Sequence, residues 1–202
     1  LSAGTKARIL ETALALFNAE GFSTCSAVDI ASALQMSPGH LHYHFKGKAD
    51  LAAALMEAHA GELQVIRTVA ARACGAPGAD LQTMWTHVHI LVEEAFDARF
   101  AYREAHGVAR FDPRLAALMR RLFVTQEGAA RDMLEGLTAS GALVAGPETL
   151  DGLVSQVALG LAFQSVRLEF DAPETTPPRA LVARTAALVM LPVTGFAATA
   201  RP

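Results

Sequence analysis

SAVDIASALQMSPGHLHYHFKGKAD, residues Ser26 to Asp50, reads as two short helices joined by a tight turn. Ser26, followed three places later by Asp29, fits the capping box that opens a helix. Val28, Ile30, Ala31 and Leu34 supply its apolar side, and Gln35 with Met36 makes the break. Ser37 is a residue type that caps helices. Pro38 suits the first helical position, where the N–H it lacks has no intrahelical partner. The second helix, over 38–45, is too short to stand alone. Leu41 and Phe45, four apart, share the face that must lean on neighbours. What stays outside is Gly39, His40, His42, Tyr43 and His44, followed by Lys46 and Lys48. A short helix that shows donors and an aromatic hydroxyl, with lysines at its exit, suits a DNA major groove and its flanking phosphates.

An ordered set of residues continues this pattern on both sides. Ile9, Ala13, Phe17, Gly21 and Phe22 precede it, and Gly47, Lys48, Ala49, Asp50 and Leu51 close it. With Asp29-Ile30-Ala31, Met36-Ser37-Pro38-Gly39 and Leu41-His42-Tyr43-His44-Phe45-Lys46, the chain resembles one-component bacterial regulators of the TetR family. The close likeness covers the first quarter of the chain; the rest agrees in length and helical layout. The resemblance implies a dimer whose N-terminal helices bind operator DNA and whose larger C-terminal bundle dimerises and encloses an effector site. It makes Ser37, Pro38, Gly39, His40, His42, Tyr43, His44, Lys46 and Lys48 the DNA-facing candidates. The family usually has a tyrosine where this chain has His42, at a position that commonly touches the DNA backbone. Histidine can still donate to phosphate, but its charge depends on pH.

Composition agrees with an all-α protein. The 202 residues are rich in alanine and leucine and almost free of strand-like runs of Val, Ile and Thr. The hydrophobic share of 52% is high and calls for extra buried surface, either a dimer interface or an apolar cavity. Gly152–Val166 and Thr185–Ala200 are the longest uncharged stretches, both shorter than the roughly 18 apolar residues that span a bilayer. With no secretory pattern at the start, the expected location is the cytoplasm. The chain begins at Leu1 without a methionine, so a few native residues are expected before it. Cys25 and Cys74 lie in unrelated contexts and read as free thiols. The net charge of −3 argues against a strong electrostatic pull on DNA. Residues 1–50 carry Lys6, Arg8, Lys46 and Lys48 against Glu11, Glu20, Asp29 and Asp50, a balance of zero, with three of the seven histidines at the proposed DNA face.

Apolar periodicity predicts about nine helices in two domains, a helix-turn-helix domain over 1–47 and an effector-binding and dimerisation domain over 48–202. The expected helices after the motif are 48–73, 80–98, 100–109, 112–140, 147–170 and 179–191, with a polar linker over 171–178 and a loose tail from Pro192.

His40, His42 and His44 alternate, which tempts a metal reading. Positions 40 and 44 share a helical face while 42 points elsewhere, and no third ligand is in view, so DNA contacts are preferred and no metal is expected. Trp85 and His89 share a face with Val92 and Phe96; His89 is either a core histidine or the polar anchor of a ligand cavity. Phe100, Tyr102 and Arg103 combine aromatic area with a cation that either meets a ligand carboxylate or pairs with Glu93, Glu94 or Glu104. Phe123 and Met133 complete the expected ligand wall. Leu153, Val157, Gly160, Leu161, Gln164 and Leu188 are expected at the dimer interface, because both helices that carry them are apolar over a wide arc. No nucleophile elbow, phosphate-cradling glycine loop or paired metal spacing occurs, so neither an enzyme nor a cofactor is expected. The reading is a regulator, most often a repressor, released from its operator by a small, largely apolar effector. The rival is a helical partner-binding module with weak or lost DNA binding.

Overall fold

The computed structural model describes residues 2–171 and 176–198. Among them lie ten helices: α1 (Ser2–Glu20), α2 (Ala27–Ala33), α3 (Pro38–His44), α4 (Lys48–Cys74), α5 (Leu81–Asp97), α6 (Arg99–Arg103), α7 (Ala105–Phe111), α8 (Pro113–Ala139), α9 (Pro147–Asp171) and α10 (Pro178–Thr194). Two compact units result. One holds the chain up to Ala60 together with Asp97–Arg121; the other holds Gly61–Phe96 and the chain from Leu122 onward. The boundary expected at 47 and 48 is the start of α4, which runs on through both units.

The first unit is organised by aromatic rings. Phe17 on α1, Phe22 after it and Phe100 on α6 are fully buried. The Phe17 ring lies 5.4 Å from each of the other two. Asn18 binds α1 to the start of α6 with its side-chain amide: Nδ2 donates to the Asp97 carbonyl at 2.7 Å, and Oδ1 accepts from the Phe100 N–H at 3.0 Å. The single helix expected over 100–109 is two. The chain breaks at Glu104 (φ −118°, ψ 31°), whose carboxylate accepts the Ser23 N–H at 3.0 Å. A tertiary hydrogen bond there overrides local helix propensity. Gly21 sits at φ +94°, a backbone conformation that favours glycine, with a Cβ there lying 2.7 Å from Glu104 Oε1.

The second unit uses glycines for close helix crossing. A Cβ at Gly136 on α8 would meet the Cys74–Gly75 backbone at 2.8 Å, and one at Gly128 would strike the Arg67 guanidinium. That guanidinium instead lies across α8 and pairs with Asp132 at 2.7 Å. α9 and α10 pack along their length. Gly160 abuts Val189, where a Cβ would sit 2.9 Å from Cγ2.

α10 runs past Pro192 to Thr194, farther than the expected end. The segment after it is tied down, contrary to the loose tail expected: the Val144 N–H donates to the Phe196 carbonyl at 2.9 Å, and the Ala198 N–H to the Ala142 carbonyl at 3.0 Å. These pairs close a short antiparallel bridge, Leu143 with Ala197. Residues 172–175 of the expected linker and 199–202 of the tail lie outside the described residues.

Candidate nucleic-acid interface

The turn between α2 and α3 is built from caps. The Ser26 hydroxyl accepts the Asp29 N–H at 3.2 Å, and the Asp29 carboxylate accepts the Ser26 N–H at 2.8 Å. The Ser26 hydroxyl also donates to the Asp29 carboxylate at 2.6 Å, and this bond, with the Ser26 N–H, holds the Asp29 carboxyl below the usual carboxylate range. Gln35 takes a left-handed conformation, φ 54°, that reverses the chain. Ser37 then caps α3, its hydroxyl accepting the His40 N–H at 3.2 Å, with Pro38 in the first turn. Such a cap contributes about 1 kcal/mol to a helix that is otherwise too short to persist.

α3 divides cleanly into an anchor and a display. Leu41 is buried, while Pro38, Gly39, His40, His42 and Tyr43 are exposed, Tyr43 by 77%. His44 is half-buried; its ring meets those of His40 at 5.3 Å and Tyr43 at 5.2 Å. Phe45 leaves the helix in an extended conformation, half-buried, and Lys46 is exposed.

Lys48 differs from its neighbours. Its ammonium donates to the Phe22 carbonyl at 2.8 Å and lies over the rings of Phe22 and Phe111, at 4.5 and 5.0 Å from their centroids. Carbonyl and ring faces together hold this cation against the exit of α1. Asp50, one turn on, receives the Lys46 N–H at 3.1 Å and pairs with Arg114 at 2.9 Å. Sequence reading passed over Asn18, Glu104 and Arg114 as site-shaping residues. The contacts that shape this site, Asn18 with Phe100, Glu104 with Ser23 and Arg114 with Asp50, span more than sixty positions, beyond the reach of local spacing.

Two family models cover most of the chain. Residues 9–55 match "Bacterial regulatory proteins, tetR family", and residues 63–199 match "Bacterial transcriptional repressor". The chain belongs to the TetR family. It is 36% identical over 116 residues to the probable HTH-type transcriptional regulator YttP of Bacillus subtilis, a match covering 52% of each chain. It is 36% identical over 87 residues to the HTH-type transcriptional regulator AcrR of Shigella flexneri, covering 42% of this chain and 40% of that one. These alignments thus span about half, or less, of the curated relatives' length. A TetR-family regulator from Marinobacter aquaeolei VT8 superimposes with a TM-score of 0.82 at 19% identity, over 96% of this chain and 91% of that one. The ketosteroid transcriptional regulator KstR2 of Mycobacterium tuberculosis does so with 0.70 at 18% identity, over 96% of each. TetR-family members are DNA-binding regulators rather than enzymes.

The residues expected on a ligand wall are distributed over both units of this TetR-family protein. In the first unit, Phe100 is buried against Phe17, and the Tyr102 hydroxyl lies 2.8 Å from His59 Nε2 with both residues buried. Arg103 is exposed and donates to the Asn18 carbonyl at 2.6 Å. His59 was not anticipated: its partner Tyr102 lies 43 positions further along the chain. In the second unit, Phe96 and Met133 are buried. Trp85, expected inward, is 36% exposed and stacks on His89, ring centroids 5.2 Å apart. His89 is half-buried, yet its Nδ1 is buried without a hydrogen-bond partner. Phe123 and Phe163 flank a depression of about 280 Å³ between α8 and α9, floored by Ala158 and Ala162.

The expected dimer residues also divide. Leu153, Val157 and Leu161 are covered by their own chain, Val157 completely, and Gly160 serves the packing of α9 on α10 within the protomer. Side chains buried in this way have no surface left to offer a second copy. Gln164 is half-buried; Leu188 is exposed, as are Leu159, Phe163 and Leu191 on the same pair of helices. Both cysteines are buried, and burial raises their thiol pKa values, that of Cys74 to about 11. A thiol so shifted is largely unreactive at neutral pH.

Proposed function

We propose that this chain is a dimeric repressor that reads operator DNA with α3 and is released by a small, largely apolar effector. The observation that carries the DNA-reading part is the split on α3: Leu41 fixes the helix from below while His40, His42 and Tyr43 face solvent with Gly39 beside them. Donors on the outer face of a helix anchored by one buried leucine are what groove reading requires. The proposed division of labour puts DNA reading in residues 1–47 and effector binding with dimerisation in residues 48–202, in the cytoplasm, where the DNA is. No described helix is long and apolar enough to cross a membrane.

Dimerisation is proposed through the outer faces of α9 and α10, where Leu159, Phe163, Leu188 and Leu191 are exposed. The effector is proposed to engage Trp85 and His89, whose buried Nδ1 supplies a polar end. Release is a population shift: a ligand that binds the non-reading conformation more tightly draws the dimer away from DNA. A gel-shift assay on the region upstream of the protein's own gene tests the reading, with Tyr43→Ala and His40→Ala as controls. Wild-type retardation that weakens in both variants is the expected result. A second reading, a partner-binding helical module, draws support from the zero formal charge of residues 1–50. It would be preferred if the wild type failed to retard any duplex.

A further inference from the structure

Residues 1–50 of this protein carry no net formal charge. Lysines and arginines balance acids over residues 1–50, and one of the four cations, Lys48, is held on protein carbonyls and rings. What α3 shows instead is three imidazoles in seven residues, His40, His42 and His44. We propose that these histidines make DNA affinity rise as pH falls, each becoming a cationic contact when a phosphate is near. The inference rests on α3 being the reading helix.

The groups around the three rings leave them available for this role. α2, packed on α3, carries one charged side chain, Asp29, and its carboxylate is occupied by the Ser26 N–H and hydroxyl. Beyond α3, Lys46 is exposed, Lys48 is held as described, and Asp50 is taken by the Lys46 N–H and Arg114. On α3 itself the other polar side chain that could face the rings is Tyr43, which carries no carboxylate. No carboxylate partner for His40, His42 or His44 is therefore present among these groups. A duplex would supply one negative phosphate after another at this face. The His40 and His44 rings, 5.3 Å apart, would repel if both were charged in the free protein. DNA removes that repulsion, so protons are taken up on binding. By linkage, affinity then climbs as pH drops.

The test is fluorescence anisotropy of the full chain with a mixed-sequence duplex of roughly 30 base pairs, at fixed salt, between about pH 7.5 and 6. Mixed sequence suffices because phosphate contacts are sequence-independent. The comparison variant, His40→Gln/His42→Gln/His44→Gln, keeps hydrogen-bonding capacity and cannot titrate. Wild-type binding is expected to tighten at least about tenfold over that interval, with a steeper salt dependence at the lower pH, by about 0.9 for each added phosphate contact. The variant, confirmed helical by circular dichroism, is expected to change by less than roughly twofold over the same interval. A flat wild-type profile, or a variant that keeps the pH dependence, overturns the proposal while leaving α3 as the reading helix. Absence of binding at every pH overturns both.

Discussion

At the scale of single residues, the two lysines after α3 have separate tasks. Lys46 is exposed, whereas the Lys48 ammonium is held by the Phe22 carbonyl and two ring faces. Lys46→Ala should therefore flatten the salt dependence of DNA binding by about one unit of slope at little cost in stability. Lys48→Met should lower the thermal midpoint by a few degrees, equivalent to about 1–2 kcal/mol, and leave the slope unchanged. Salt-titrated anisotropy and thermal melts of both variants check this; a lost unit of slope in Lys48→Met would return that side chain to the phosphates. The lysines were visible in the sequence, but not which of them points inward. That depends on Phe22 and Phe111, far along the chain and brought beneath Lys48 by the fold.

At the scale of elements, α6 grips α1 through Asn18. Asn18→Ala removes both side-chain bonds to the Asp97–Phe100 turn and should cost about 1–3 kcal/mol in denaturant titration. A change under half a kilocalorie would show the grip to be incidental. α9 offers a contrast between two neighbouring positions. Val157 is wholly buried in its own protomer, so Val157→Glu should unfold the chain or leave it insoluble. Leu159 is 56% exposed, so Leu159→Glu should preserve helicity and shift sedimentation from dimer to monomer. A Leu159→Glu protein that still sedimented as a dimer would move the interface off this face. The width of the apolar arc on α9 was legible in the sequence. How much of that arc α10 of the same chain would cover was not, because apolar periodicity does not say which neighbour meets it.

At the scale of the whole molecule, two responses follow. Asp29, Asp80 and Asp112 each accept hydrogen bonds, from Ser26, Thr83 and Arg114 respectively, that hold their carboxyls below the ordinary 3.8. The unfolded chain therefore takes up these protons first as pH falls. The stability they contribute is present above about pH 4 and is lost below it. Acid unfolding followed by circular dichroism should show a decline that begins below about pH 4 and is blunted in Asp29→Asn with Asp80→Asn. The second response is to effectors. Trp85 is the one tryptophan of the chain, so its fluorescence reports on its surroundings without ambiguity. Flat or hydrophobic compounds are expected to quench it and free the DNA; small sugars and metal ions are expected to do neither. Metal ions alone releasing DNA would redirect attention to the histidines of α3.

The sequence by itself determined the capped turn between α2 and α3 and the anchoring of α3. Ser26 with Asp29, Ser37 with Pro38, and Leu41 among polar neighbours act within a few positions of one another, so their hydrogen bonds and burial follow from local spacing. The same holds for the starts of α5 and α8, where Asp80 and Asp112 cap the first turn from the residue ahead of it. Only the tertiary structure decided the rest. It broke the helix expected over 100–109 at Glu104, turned Lys48 inward, left Trp85 half outside, and fastened residues 196–198 to residues 142–144. The helix break, the inward-turned lysine and the fastened tail each depend on a partner dozens of positions away, and periodicity in a sequence gives the face a residue occupies but not what that face will meet.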